Sequence, residues 1–141
     1  MTMKIAIATI AAALALAGCG SLQKKEPPPK PLVGTLWEVA LELPLKGEQP
    51  YVRFGDGRVE GFGGCDRFVA RYVQDTVGAR AIAIGRIEMN RRVCDESAQM
   101  AEARLLEVLA AVSSYQITAD LMVMTGSAGS LRFLARTEGT H

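Results

Sequence analysis

Hydrophobic and polar residues alternate in short runs along most of the chain after residue 31, a pattern typical of strands with one buried face. The clearest case is residues 51–62, where two alternating runs flank a turn at Asp56-Gly57 or Gly55-Asp56 and predict a β-hairpin. Further strands are predicted at residues 34–43, 67–73, 79–89, 114–120, 121–126 and 130–136. The side chains expected to face the core include Trp37, Phe68, Ala70, Tyr72, Ile82, Ile84 and Ile87.

One segment has the period of a helix instead. Residues 95–112 carry an apolar stripe at helical spacing, Asp95 is placed to cap the amino end, and Ser113 and Ser114 are expected to end the run. The stripe is Ala101, Leu105, Val108, Leu109 and Val112, while Glu102, Arg104 and Glu107 are assigned to other faces. Seven or eight short strands with one late helix predict a single α+β domain.

The amino terminus carries a different pattern. Lys4 precedes a predominantly apolar run of 13 residues, 5–17, which is too short to span a bilayer and has the length of a secretory signal. Residues 16–19 (LAGC) follow, and they resemble a bacterial lipobox. The resemblance implies that residues 1–18 are a lipoprotein signal peptide and that Cys19 is lipidated and holds the chain on a membrane. An ordinary secretory signal with an incidental cysteine is the alternative.

A proline-rich segment connects this cysteine to the first strand. Residues 19–31 contain four prolines, which favour an extended tether; the domain is expected at residues 32–137, with a tail at 138–141. Removing residues 1–18 lowers the 16 basic residues to 15, which equals the 15 acidic ones. A neutral chain with interleaved charges offers no basic tract for nucleic acid.

The sequence has three cysteines, Cys19, Cys65 and Cys94. If Cys19 carries lipid, Cys65 and Cys94 remain as a matched pair that an oxidising periplasm can join in a disulfide. Two separate buried thiols are the alternative. Two cysteines and one terminal histidine, His141, do not supply the four ligands of a structural zinc site, so no metal is expected.

Three glycines stand beside Cys65 in residues 59–68 (VEGFGGCDRF). Gly61, Gly63 and Gly64 predict a sharp bend or close backbone approach, at which the strand leaves the hairpin and folds over the sheet. Cys65 is then expected to reach the start of the helix and to hold it through Cys94. A phosphate-cradling loop is the rival interpretation, but such loops open a helix, whereas strand-like residues follow here.

Five segments, in order, resemble the META domain family, which includes the heat-shock lipoprotein HslJ. They are GTLWEV (34–39), VRFGDGRVEGFGGCDRF (52–68), IAIGRIEMNRRVC (82–94), MAEARLLEVL (100–109) and LMVMTGSAGSLRF (121–133). The resemblance covers residues 32–134. It departs at Asp66, where the family usually carries asparagine, and at residues 90–93 (NRRV), where it often carries a Thr-basic-Met-Ala run.

The resemblance implies a curved antiparallel sheet, shaped like a cracked barrel and packed on one main helix, similar in shape to secretin pilot lipoproteins. It implies no enzyme, because the family brings no established catalytic residues. The residues agree with this, since the neighbouring acids Asp95 and Glu96 are explained by helix capping and no histidine lies within the domain. Arg91 and Arg92 form a candidate basic patch for an acidic partner, with a solvated loop as the alternative.

These observations predict a non-catalytic protein of the bacterial cell envelope that binds and steadies another envelope protein, in complex assembly or in stress tolerance. Gly20 after Cys19, in place of aspartate, favours an outer-membrane anchor facing the periplasm, by analogy with enteric lipoproteins. A carrier holding an acyl chain or small apolar ligand between Leu105 and Ile84 is the alternative. An unrecognised hydrolase is the third hypothesis, opposed by the missing nucleophile–base set. No cofactor is expected.

Overall fold

The computed structural model describes Gly18, Gly20 and residues 22–75 and 80–137. The expected signal peptide up to residue 17, the expected lipidation site Cys19, and the tail with His141 lie outside the described residues. Within the described part of the chain, no helix is both long enough and apolar enough to cross a membrane.

The described part of the chain contains one α-helix and nine strands. The strands are β1 (Leu36–Val39), β2 (Tyr51–Phe54), β3 (Arg58–Phe62), β4 (Arg67–Gln74), β5 (Ile82–Ile84), β6 (Glu88–Met89), β7 (Val112–Thr118), β8 (Leu121–Gly126) and β9 (Gly129–Arg136), and the helix is α1 (Glu96–Ala111). Eight strands follow one another in the order β5-β4-β3-β2-β1-β9-β8-β7, and β6 pairs with β4 beside this path. Every strand pairing is antiparallel.

The two ends of the strand path, β5 and β7, come together and nearly close the sheet on itself. An isolated bridge joins Ala81 to Ser114, and the Tyr115 amide donates to the Arg80 carbonyl oxygen at 3.2 Å. The Tyr115 hydroxyl also donates to Gln74 Oε1 at 3.2 Å. With α1 packed against this sheet, the predicted α+β class and cracked-barrel shape are confirmed.

Most strands lie where the hydrophobic alternation predicted them, but several of the predicted strand boundaries are wrong. β1 covers four residues where residues 34–43 were expected, because the chain turns after Val39: the Leu41 amide donates to the Val39 carbonyl oxygen at 3.0 Å. Residues 79–89 hold two short strands instead of one, and Ser113 and Ser114 belong to β7 instead of ending the helix as a break. The hairpin in residues 51–62 is present, with its turn at residues 55–57.

The interior of the barrel is filled by side chains from the strands and from α1. The fully buried side chains include Trp37, Val52, Phe54, Val59, Leu109, Met122, Met124 and Phe133. Trp37 donates its indole N–H to the Leu32 carbonyl oxygen at 3.2 Å, so its polar group is satisfied inside the core. Leu105 and Ile84, which the carrier hypothesis placed around a cavity, belong to this same packed cluster.

Helix α1 begins where the sequence predicted. Asp95 caps it, with Asp95 Oδ1 accepting a hydrogen bond from the Ala98 amide at 2.8 Å. The buried face, however, consists of Ala98, Glu102, Leu105, Val108 and Leu109. The assignment of Glu102 to an outer face is therefore wrong, because this carboxylate faces inward and has backbone partners there.

The barrel has two ends that differ in what they carry. We call the first the disulfide end; it consists of the connections at residues 40–50, 63–66, 90–95 and 126–129. Helix α1 lies across this end, since Arg104 donates to the Ala128 carbonyl oxygen at 2.8 Å and Ala111 abuts Gly126. The second is the tether end, residues 30–35, 55–57 and 119–120, where the Lys30 amide donates to the Ala119 carbonyl oxygen at 2.8 Å.

Tyr72 gives the fold a dependence on alkaline pH. Its hydroxyl donates to the Gly55 carbonyl oxygen. Burial, with a smaller contribution from the Asp56 carboxylate, raises the pKa of the Tyr72 phenol above its ordinary value of 10.0. The folded state therefore favours the neutral phenol, so this contribution to stability is complete below about pH 10 and is lost as the pH rises through the raised pKa.

We expect the free energy of unfolding of the wild type to fall more steeply above about pH 10 than that of Tyr72→Phe. Denaturant unfolding at a series of pH values measures this for both proteins. The comparison is internal, because every other titrating group is shared. Parallel losses in the two proteins would contradict the role given to the Tyr72 phenol.

Candidate functional site

Residues 63–66 form a tight turn between β3 and β4. Phe62 and Arg67 are paired across it, and the Gly63 amide donates to the Asp66 carbonyl oxygen at 2.9 Å. The strand was expected to leave the hairpin here and fold over the sheet. Instead it turns back and continues the same sheet, because β4 finds its hydrogen-bond partners along β3.

A disulfide ties this turn to the start of the helix. Cys65 and Cys94 are bonded, with their Cα atoms 5.8 Å apart and a separation of 29 positions in the sequence. Cys94 immediately precedes the capping residue Asp95, and its carbonyl oxygen accepts a hydrogen bond from Gln99 at 2.6 Å. The bond therefore holds the β3–β4 turn against the first turn of α1.

A buried carboxylate makes a second connection between the same two elements. Glu102 Oε2 accepts hydrogen bonds from the backbone amides of Cys65 at 3.2 Å and Asp66 at 2.6 Å. The amides at this turn are buried and have no strand to pair with, so they require an acceptor. An ionised oxygen is a strong acceptor, and it fixes the turn to the middle of the helix.

Two of the three glycines are explained by this carboxylate and by the shape of the turn. A Cβ atom on Gly63 would lie 2.5 Å from both Glu102 Cγ and Glu102 Oε2, so a side chain there would push the carboxylate away. Gly64 has a φ of +118°, which other residues rarely adopt. Gly61 lies inside β3 and not in the turn; a Cβ there would lie 2.2 Å from the Tyr51 carbonyl oxygen.

Asp66 connects the turn to the segment before the helix. Its Oδ2 accepts a hydrogen bond from the Arg92 amide at 2.9 Å, and its Oδ1 lies 3.4 Å from Arg92 Nε, an ion-pair contact without a hydrogen bond. Asp66 is buried, whereas most of the Arg92 side chain is exposed. Arg92 is thus held in a structural contact, while the exposed Arg91 has no such contact among the described residues.

The turn and the helix bring three potential metal ligands together. Ligand atoms of Cys65, Asp66 and Glu102 lie within 4.8 Å of one another. The sulfur is committed to the disulfide, and both carboxylates already accept backbone amides. Within the described residues this group does not provide the four free ligands of a structural zinc site. The arrangement is suited to fixing the shape of the disulfide end.

Sequence reasoning missed Glu102, although a signal for it was present. Glu102 stands four residues after Ala98 and three before Leu105, so it falls on the apolar stripe at helical spacing. A carboxylate on the apolar face of a helix indicates that a hydrogen-bond or charge partner lies nearby. Here the partners are two backbone amides of a turn that is distant in the sequence.

Comparison with known families relates the barrel, α1 and the disulfide-linked turn to a described domain. The family model of the META domain matches residues 32–138, which is most of the chain. The chain belongs to the META domain family. The predicted resemblance is therefore confirmed, and the META domain coincides with the barrel, α1 and the disulfide-linked turn.

Two solved structures share the fold of this META domain. The first is an NMR structure of a protein from Burkholderia xenovorans, with a TM-score of 0.61 and 19% identity over 76% of this chain and 85% of that one. The second is another NMR structure, with a TM-score of 0.55 and 16% identity over 71% and 86% of the two chains. No curated protein is significantly similar to the chain. At these identities the solved structures support the fold alone.

Proposed function

We propose that this protein is a non-catalytic, lipid-anchored component of the bacterial cell envelope. Its META domain binds another envelope protein through the disulfide end. The binding would serve the assembly or stabilisation of an envelope complex, or tolerance of envelope stress. The observation that carries the proposal is a set of exposed apolar side chains on the end of the barrel that the disulfide and Glu102 hold.

Three large apolar residues at this end point into solvent. Val93 is 96% exposed, Leu43 is 83% exposed and Met100 is 66% exposed. They come from three segments: the loop before β2, the segment before α1, and α1 itself. Exposed apolar side chains at one end of the barrel favour a binding surface there, because water contact with them is unfavourable.

The frame beneath these residues supports binding without a large loss of conformational freedom. Val93 adjoins the disulfide-bonded Cys94, and the loop that carries Leu43 packs Leu45 against Gly64. Preorganised surfaces lose less entropy on association. Arg91 adds an exposed cation, so the partner that fits best is an apolar segment with a carboxylate beside it.

The packing of the barrel favours a binding module over the carrier. Leu105 and Ile84 are buried in the core cluster, and neither lines any of five depressions on the surface of the described residues. A carrier requires space for an apolar ligand at these positions. The buried carboxylates of Asp66 and Glu102 likewise have structural partners, which supports a role without catalysis.

The anchor is tested first. Cys19→Ser is expected to abolish the incorporation of a palmitate analogue during growth in a bacterial host, while the wild type is labelled. Fractionation of the wild type is expected to recover it with the outer membrane. Label that persists on Cys19→Ser would contradict lipidation at this residue.

Protein binding is tested with two positions of the same residue type. A photo-crosslinking amino acid replaces Val93 in one protein and Val73, which is 70% exposed on β4, in the other. In intact envelopes, position 93 is expected to capture one discrete protein that position 73 does not capture. Arg91→Glu should reduce this product several-fold, whereas Arg132→Glu, an exposed change on β9, should leave it unchanged.

The outcomes separate the hypotheses. A discrete product that depends on Arg91 supports binding through the disulfide end. Equal products at positions 93 and 73 would contradict it, and so would the absence of any product at position 93. Recovery of lipid alone from both positions would favour the carrier.

A further inference from the structure

Three arginines share one depression on the outer face of the barrel, and we call them the arginine triplet: Arg58, Arg71 and Arg86. The depression has a volume of about 570 Å³ and is also lined by Asp56, Val69, Ala70 and Glu88. All three arginines are exposed, and none forms a salt bridge with a carboxylate of the described residues. The two acids therefore line the depression without an ion pair to the triplet, and the three arginines outnumber them.

The pairing of the strands places these cations close together. Arg58 on β3 lies directly opposite Arg71 on β4, and the Gly85 amide donates to the Arg71 carbonyl oxygen at 2.8 Å, which brings Arg86 alongside. Like charges directly opposite one another across a strand pair are unfavourable. An anion with several oxygens would relieve this repulsion, because each guanidinium presents a fork of donors that matches phosphate.

The triplet lies toward the tether end. Arg58 also lines a second depression, of about 390 Å³, together with Val33 and Gly34, which lie close to the start of the domain. The Gly34 amide donates to the Phe54 carbonyl oxygen at 2.9 Å, next to the turn that precedes Arg58. From Arg58 to Phe62, β3 rises roughly 14 Å toward the disulfide end.

The tether joins the barrel at the tether end, which favours that end as the one that faces the anchoring surface. Residues 22–31 are exposed, and the stretch from residue 20 to 29 reaches about 30 Å at most when extended as polyproline II. A lipid at Cys19 would thus keep the tether end near the membrane, with Lys24, Lys25 and Lys30 beside it. Charge complementarity then favours the phosphate of an anionic phospholipid as the occupant of the triplet.

We propose that the arginine triplet is a membrane-contact site that binds the phosphate of anionic lipid headgroups. The inference rests on the proposed function for the lipid anchor, which gives the barrel its orientation. Contact at the triplet directs the disulfide end, with Val93 and Leu43, away from the bilayer and toward a partner.

The test uses the chain from residue 20 onward, because the whole core cluster lies between Leu32 and Phe133. Cosedimentation is measured with vesicles of equimolar phosphatidylcholine and phosphatidylglycerol, and with phosphatidylcholine alone. We expect binding to the anionic vesicles only. Each arginine near such a surface contributes roughly a factor of five, so Arg58→Gln/Arg71→Gln/Arg86→Gln should weaken binding about a hundredfold.

A second triple variant provides the matched control. Lys46→Gln/Arg91→Gln/Arg132→Gln removes the same charge at exposed positions away from the tether end, and it should bind nearly as the wild type does. Equal weakening by both variants would mean diffuse attraction and would overturn the site. The absence of wild-type binding would overturn it too, as would inorganic phosphate that fills the triplet as tightly as the vesicles do.

This experiment does not depend on lipidation, because the chain used lacks Cys19. If Cys19 is not acylated in cells, the labelling experiment reports that separately, and vesicle binding still decides whether the triplet recognises lipid phosphate.

Discussion

Replacing Cys65 and Cys94 together with alanine is expected to lower the free energy of unfolding by roughly 3–4 kcal/mol. The disulfide closes a loop between residues 29 apart, and its removal restores that conformational freedom to the unfolded chain. In the folded state, the β3–β4 turn would lose its covalent link to the start of α1. Denaturant unfolding under oxidising conditions measures the difference.

Reductant supplies the control for this prediction. Adding it should bring the wild type down to the stability of the double variant and should leave the variant unchanged. A loss below about 1 kcal/mol, no larger than that of an ordinary substitution, would mean that the disulfide contributes little to the stability of the domain.

Glu102→Leu is expected to cost roughly 3 kcal/mol or more. The substitution leaves the Cys65 and Asp66 amides without an acceptor, and a hydrogen bond to a charged group contributes roughly 1.5–3 kcal/mol. Burial of the leucine side chain offsets part of the loss. Glu102→Gln keeps one acceptor oxygen of similar shape, so its loss should be smaller.

The matched control for Glu102 is on the same helix. Glu107 is exposed and pairs with Arg104 at 3.1 Å, a surface contact of small value. Glu107→Leu should therefore change the free energy of unfolding by about 0.5 kcal/mol or less. Equal effects of the two substitutions would show that Glu102 does not hold the turn.

The local parts of the fold were readable from the sequence, because strand alternation and helix capping depend on neighbouring residues. Asp95 and the hairpin around residues 55–57 are examples. The closure of the barrel was not readable from the residues alone. It depends on contacts such as Tyr115 with Gln74, which stand 41 residues apart and carry no local signature. The curved shape came instead from the family resemblance.

In the candidate site, too, local features could be predicted from the sequence and contacts between distant residues could not. The glycines beside Cys65 indicated close approach, but they did not say what approaches. The neighbour of Gly63 is a carboxylate on the helix, which the sequence pattern places on the apolar stripe and which burial statistics alone would send to the surface. The arginine triplet was equally hidden, because the opposition of Arg58 and Arg71 follows from strand register.

The central claim is that the β3–β4 turn is fixed to α1 by the Glu102 carboxylate as well as by sulfur, and amide hydrogen exchange of Cys65 and Asp66 tests it most directly. In the oxidised wild type, both amides should be protected like those of the core strands. In Glu102→Leu with the disulfide intact, they should exchange roughly ten to a hundred times faster, while the Val52 amide changes no more than global stability requires. Rapid exchange of both amides in the wild type, or unchanged protection in Glu102→Leu, would contradict the claim.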